Sequence, residues 1–160
     1  MSERWDMHFI SIARECSRMS KDPSTRVGAV IVGPDKEIRS TGFNGFPRGI
    51  ADLPQRLNNR ERKLELIVHA EMNAIMNAAR FGVALNGCTL HIACTNDDGL
   101  LWGGPPCSKC TIHVIQAGVV RIVSLTKKAV PSRWHEDLIL AEEILREAGI
   151  EYVELPVLEV

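Results

Sequence analysis

Two short segments of the 160-residue sequence carry side chains able to bind a metal and move a proton: HAE at 69–71 and PCSKC at 106–110. Cys107 and Cys110 are three positions apart, so on a helical turn both sulfurs face one point. Zinc prefers tetrahedral nitrogen and sulfur ligands, and a catalytic zinc keeps three protein ligands and one open position. We predict that His69, Cys107 and Cys110 bind one zinc ion.

Glu71 is the fourth residue of this pattern. H-x-E followed 35 residues later by P-C-x-x-C is typical of zinc-dependent nucleobase deaminases. There the carboxylate is not a ligand: it takes a proton from the zinc-activated water and passes it to the substrate ring nitrogen, then to the leaving amine. A backbone N–H near Ala70 is predicted to hold the ring carbonyl.

Two other interpretations of the same residues stay open. A lone CxxC in an intracellular protein can be a redox dithiol, which would exchange thiols rapidly without metal. The protein could also be a non-catalytic zinc-stabilised binding module, with a closed four-ligand centre and no need for Glu71. His69 and Glu71 can serve one pocket only at the mouth of a helix, and Pro106 suits the start of a second helix. We therefore expect two helix N-termini to converge on the metal.

The remaining pattern predicts the elements that must hold these segments. Apolar periodicity predicts helices over 3–19, 69–81, 107–117 and 135–149, and strands over 27–33, 37–44, 87–94, 119–125 and 150–157. Residues 45–63 and 95–106 are predicted to be long loops, the first containing up to one helical turn. This order indicates one domain over 1–160, with a mixed sheet of about five strands and helices on both faces.

The composition and net charge of the chain argue against nucleic acid and membranes as partners. The chain is 45% apolar and 24% charged, with a net charge of −1, which argues against a footprint for duplex nucleic acid. No stretch is long and apolar enough to span a membrane, and the N-terminal residues do not have the pattern of a signal peptide. Five cysteines, an odd number, then favour a reducing, cytoplasmic location.

Six segments together resemble the deoxycytidylate (dCMP) deaminases: STRVGAVIV (24–32), STGFNGFPRG (40–49), HAEMNAIMNAAR (69–80), GCTLHIA (87–93), PPCSKC (105–110) and IQAGVVRIV (115–123). The resemblance implies an α/β/α sandwich, zinc, and conversion of dCMP to dUMP and ammonia. It also implies a homo-oligomer, commonly a hexamer, with dCTP and dTTP as candidate effectors. Within the same superfamily, a 5-methyl or 5-hydroxymethyl dCMP, or adenosine in tRNA, are alternative substrates.

The resemblance also implies residues that contact the substrate. Asn44 resembles the residue that contacts the sugar, and Arg26 the one that meets the phosphate. Arg48, in the Gly-rich turn, is a second candidate because an arginine fork suits a phosphate. The alternatives are that Arg48 is an ordinary solvated charge and that Asn44 only stabilises a turn.

Two features depart from the family pattern. Residues 45–68 contain neither Cys nor His, so a second, structural zinc found in some members is not expected, and we predict one zinc per chain. The segment 95–106 is roughly ten residues longer than in most relatives. Its Leu100, Leu101 and Trp102 suggest a lid, with Trp102 near the base, or else a contact with a neighbouring subunit.

Overall fold

The computed structural model describes residues 1–95, 101–126 and 130–157, and for Leu101 the main chain. The strands are β1 Arg26–Val32, β2 Ile38–Phe43, β3 Thr89–Thr95, β4 Leu101–Trp102, β5 Arg121–Leu125 and β6 Glu151–Leu155. The helices are α1 Glu3–Ser17, α2 Pro54–Leu57, α3 Arg60–Leu66, α4 Ala70–Phe81, α5 Ser108–Gln116 and α6 His135–Glu147, with a 3-10 turn at Ser132–Trp134. No helix in these ranges is both long and apolar enough to cross a membrane.

The strands form one mixed sheet in the order β2-β1-β3-β5-β6. β1 runs antiparallel to β2 and β3, whereas β5 is parallel to both β3 and β6. The predicted five strands are confirmed. The short β4, which pairs antiparallel with the end of β3, was predicted to be loop, because a two-residue strand beside Gly-Gly and Pro-Pro has no periodicity to detect.

Helices cover both faces of the sheet, so the three-layer α/β/α arrangement is confirmed. Alternate residues of each strand point to opposite faces. On one face Phe9 and Ala13 of α1 pack against Val30 and Val32 of β1. The other face packs against α4, α5 and α6, in a core that includes Ile31, Ala74, Leu90, Val114, Ile122 and Leu145.

The first predicted loop contains α2, which is one helical turn, and the start of α3, so the loop prediction is wrong over 60–63. Pro54 occupies the first turn of α2, and the Asn59 side chain accepts a hydrogen bond from the Arg62 N–H at the start of α3. The one buried residue of α3 is a charged one, Lys63. A seven-residue helix that buries a lysine instead of an apolar stripe gives no helical signal in the sequence.

A buried ionic network joins α1 to the middle of the sheet. Asp6 accepts two hydrogen bonds from Arg121, at 2.8 and 2.9 Å, and one from His91 Nε2 at 2.9 Å. Burial lowers the pKa of His91 to about 4 despite its bond to Asp6. The imidazole is therefore neutral at pH 7 and donates to the Asp6 carboxylate.

Acid is expected to destabilise the protein through His91. Between its ordinary pKa of 6.5 and the folded value of about 4, the unfolded chain binds the extra proton, so stability falls as pH falls through this window. The loss from pH 7 to pH 5 is about 2 kcal/mol. Urea unfolding of His91→Gln at both pH values should show a smaller loss than the parent in the same metal-loaded form. The exposed His8→Gln control should lose as much stability as the parent. An equal loss in all three proteins between pH 7 and pH 5 would contradict the assignment of this pH dependence to His91.

Candidate metal centre and active site

The metal-binding residues sit at the starts of two helices. His69 is the N-cap residue of α4 and Cys107 that of α5, both with extended backbone (ψ 156° and 157°). Neither side chain forms a capping hydrogen bond with its own helix, so both are directed to a common centre. The positive ends of the two helix dipoles meet there and favour thiolates. The predicted convergence of two helix N-termini is confirmed.

The three predicted ligand atoms have the spacing that zinc requires. His69 Nδ1 lies 3.4 Å from Cys107 Sγ and 3.4 Å from Cys110 Sγ, and all three ligand atoms are within 4.8 Å of one another. Tetrahedral zinc with bonds of about 2.0 Å to nitrogen and about 2.3 Å to sulfur places such atoms about 3.5 Å apart. In the part of the chain that the structure describes, no fourth His, Cys, Asp or Glu joins this group. The donor set therefore fits zinc with one open position.

Without metal, His69, Cys107 and Cys110 shift one another's pKa. The hydrogen bond from Cys110, with help from His69, lowers the pKa of Cys107 to about 4. The Cys107 thiolate in turn raises the pKa of His69 to about 9 and raises that of Cys110. Zinc binds neutral imidazole and thiolates. Metal uptake at neutral pH therefore displaces a proton from His69 and another from Cys110.

Glu71 lies in the first turn of α4, beside the ligands. Its side chain is buried, with 5% of its surface exposed. Burial raises the pKa of Glu71, the His69 charge opposes this, and the Cys107 charge adds to it. A carboxyl group with a raised pKa can both accept and return a proton near neutral pH.

A cavity of about 340 Å³ opens onto this cluster, which is large enough for a small organic ligand. Ala70, Glu71, His69 and Cys107 form one part of its wall. The Ala70 N–H is in the first turn of α4, where amides have no partner within the helix. Cationic residues form another part of the wall: Arg60, Lys63 and Arg133.

Of the three side chains predicted to contact the sugar or the phosphate, one lines the cavity and two do not. Asn44 lines the cavity, and its amide joins two backbone groups: it accepts from the Val27 N–H at 2.8 Å and donates to the Thr25 carbonyl at 2.8 Å. The structure does not place Arg26 or Arg48 in the cavity wall. Arg48 instead donates to Asn77 Oδ1 on α4, at 2.6 Å.

Lys63 and its partners were missed by sequence reasoning. Lys63 Nζ donates to Asp22 Oδ1 at 2.8 Å and to Ser24 Oγ at 3.0 Å, and all three residues line the cavity. The same Asp22 oxygen accepts the N–H groups of Ser24 and Thr25. A lysine 41 positions from its aspartate gives no local pattern, so only the folded chain identifies this pair.

The inserted segment forms a wall of the cavity. Trp102, only 7% exposed, lines it, and its carbonyl accepts a hydrogen bond from the Cys94 thiol at 3.0 Å. Gly103 passes so close to β5 that a Cβ there would lie 1.7 Å from the Leu125 carbonyl oxygen, and Gly104 has φ 134°, which favours glycine. Leu100 and the Leu101 side chain lie outside the described residues, so their predicted lid role stays a prediction.

An N/S/S metal site with one open position, a buried carboxyl group beside it and a cavity above both, all on a three-layer α/β/α fold, define a zinc-dependent deaminase domain. The model of the cytidine and deoxycytidylate deaminase zinc-binding region matches residues 3–126. The chain therefore belongs to the cytidine and deoxycytidylate deaminase family.

Individual relatives agree with this assignment. A deaminase encoded in the luxG 3′ region of Aliivibrio fischeri is 34% identical over 157 residues, 98% of this chain and 97% of that protein. Deoxycytidylate deaminase from Mus musculus is 32% identical over 153 residues, 92% of this chain and 78% of that one. The dCMP deaminase of cyanophage S-TIM5, solved with dCMP and dUMP, has a TM-score of 0.69 over 97% of this chain and 99% of that chain; at 22% identity, it shows the shared fold.

Proposed function

We propose that this protein converts dCMP to dUMP and ammonia by hydrolysis. The observation that carries the proposal is the buried Glu71 beside the His69–Cys107–Cys110 group, in a cavity whose wall also holds cations. Membership of a deaminase family and relatives named deoxycytidylate deaminase support the same substrate.

The residues of the chain have distinct roles in this reaction. Zinc, when bound, supplies Lewis acidity and activates water near neutral pH. Glu71 would accept one proton of that water and deliver it to the ring nitrogen as the oxygen bonds to the ring carbon. It would then carry the remaining proton of the added hydroxyl to the amine, whose C–N bond breaks as ammonia leaves. The Ala70 N–H donates to the ring carbonyl. Asn44 fixes the start of β1 beside the sugar, and Trp102 closes the wall near the base.

The phosphate is proposed to bind at the cationic wall. Arg60 and Lys63 are three positions apart on α3, so they share a side of that helix. Because Ser24 Oγ accepts from Lys63, its own hydroxyl proton is free to point to a ligand. These groups replace Arg26 and Arg48 as the phosphate contacts that we propose, since the structure does not place either arginine in the wall.

Replacement of Arg60 tests the phosphate site. We expect Arg60→Ala to raise KM for dCMP by about three- to tenfold, since a charge-assisted hydrogen bond is lost at a partly solvated site, and to leave deoxycytidine turnover unchanged. Arg62→Ala is the matched control: Arg62 lies two residues on and pairs with Glu65 at 2.9 Å. A larger KM effect in Arg26→Ala or Arg48→Ala than in Arg60→Ala would restore the sequence-based assignment.

An ammonia-release assay tests the reaction itself. It should compare dCMP, CMP, deoxycytidine, dCTP and 5-methyl dCMP, with metal content measured on the same sample. We expect the highest kcat/KM for dCMP. Higher turnover of 5-methyl dCMP than of dCMP would show that the modified nucleotide is the substrate. If the zinc-loaded protein is inactive on all five compounds, a tRNA substrate or a non-catalytic binding module is favoured.

We also propose that the protein assembles as a homo-oligomer, with a hexamer as the expected form. Large apolar side chains on the outer surface of α4 and α5 support assembly: Met76 is 50% exposed, Phe81 76% and Ile112 46%. Control by dCTP and dTTP stays a prediction from the family resemblance.

A further inference from the structure

We propose that Asp137 is a positioning residue of the metal centre, acting on the ligand helix from a different helix. Its carboxylate accepts two hydrogen bonds from Ser108, the first residue of α5: the backbone N–H donates to Oδ2 at 2.9 Å and the hydroxyl to Oδ1 at 2.5 Å. Ser108 directly follows Cys107 and stands two positions before Cys110. The Asp137 carboxylate thus holds the turn that carries both thiol ligands.

The helix needs this external acceptor because of its own sequence. An N-cap side chain normally accepts from a first-turn N–H. Cys107 occupies the N-cap of α5, but its sulfur faces His69 and forms no cap hydrogen bond. Asp137 instead supplies an acceptor for the first amide of the helix, Ser108 N–H, and places a negative charge at the positive end of the helix. On the following turn Thr111 Oγ1 donates to the Pro106 carbonyl at 3.1 Å, so the ligand turn is held from both sides.

The same contact ties the metal to the substrate wall. Trp134 and Leu138 lie within three residues of Asp137, and both line the cavity. A carboxylate that fixes α6 to the ligand turn therefore also fixes the distance from this wall to the metal. The positioning role rests on the zinc site alone; its kinetic consequence rests on the proposed function.

Zinc affinity of folded protein, measured by competition with a chromophoric chelator, tests the proposal without any substrate. Asp137→Ala removes both hydrogen bonds and should weaken zinc binding about 10- to 100-fold, as for other residues that orient metal ligands. It should also shift the visible absorption bands of the cobalt-substituted protein. Asp137→Asn keeps an acceptor for the Ser108 N–H and should stay within about threefold of the parent. Glu136→Ala, an exposed acid in the same first turn, should match the parent.

Parent-like zinc affinity and cobalt spectrum in Asp137→Ala would overturn the positioning role, whatever the turnover of dCMP. If Asp137→Ala does not fold, Ser108→Ala decides the matter, because it removes only the hydroxyl bond. About a two- to fivefold loss of zinc affinity is then expected, and no loss would refute the proposal. On dCMP, Asp137→Ala should raise KM as well as lower kcat, because the wall moves with the ligand turn; a kcat change alone would limit the role to the metal.

Discussion

Glu71→Gln is expected to lower kcat for dCMP by about 10²- to 10⁴-fold, the range that general acid–base groups contribute. The amide has nearly the same shape as the carboxyl group but cannot carry the proton. Glu71 is buried beside the ligands and is not one of the three that converge on the metal site. Zinc content should therefore stay at one ion per chain while turnover falls.

Steady-state kinetics and metal analysis on the same preparation check this result. Glu65→Gln on α3 is a suitable control, since that carboxylate is exposed and pairs with Arg62 on the surface. Near-normal turnover by zinc-loaded Glu71→Gln would rule out the proposed proton transfer. Loss of zinc together with loss of turnover would instead place Glu71 among the metal ligands.

Cys110→Ala is expected to remove both the metal and the activity. Two remaining ligands do not hold catalytic zinc, which needs three protein donors, so metal content should fall from about one ion per chain to near zero and ammonia release to background. Cys16→Ser, on α1, is the control for a cysteine outside the metal group. The redox-dithiol interpretation would be favoured if the metal-free parent protein were fully active, or if thiol exchange were its main reactivity.

The same centre predicts how zinc affinity changes with pH. Metal uptake displaces protons from His69, whose metal-free pKa is about 9, and from Cys110, whose pKa is raised. Protons compete with the metal, so zinc affinity should rise as pH rises from 6 to 8. Affinity that is independent of pH in chelator competition would contradict this protonation pattern.

The metal site was predictable because its residues form two pairs, each close together in the sequence. Cys107 and Cys110 share one helical turn, and His69 and Glu71 stand at one helix start, so few arrangements can use them together. The main strands were predictable from short continuous apolar runs, because β1 and β3 are buried along almost their whole length.

The contacts around the site were not predictable because they join distant segments. Lys63 reaches Asp22 across 41 positions, and Asp137 reaches Ser108 across 29. Before folding, each is an ordinary charge in a polar stretch. Arg26 and Arg48 show the converse: their motifs predict phosphate binding, but the structure does not place either in the cavity wall, and Arg48 pairs with Asn77.

The two glycines after Trp102 set a limit on how this scaffold can be redesigned. Any side chain at Gly103 would collide with the Leu125 carbonyl, and the backbone angle of Gly104 disfavours other residues. Libraries that aim to recruit the enzyme to a new base should therefore leave this dipeptide untouched. Arg133 and Trp134 are better positions for substitution, because they border the same cavity and neither has a positive φ.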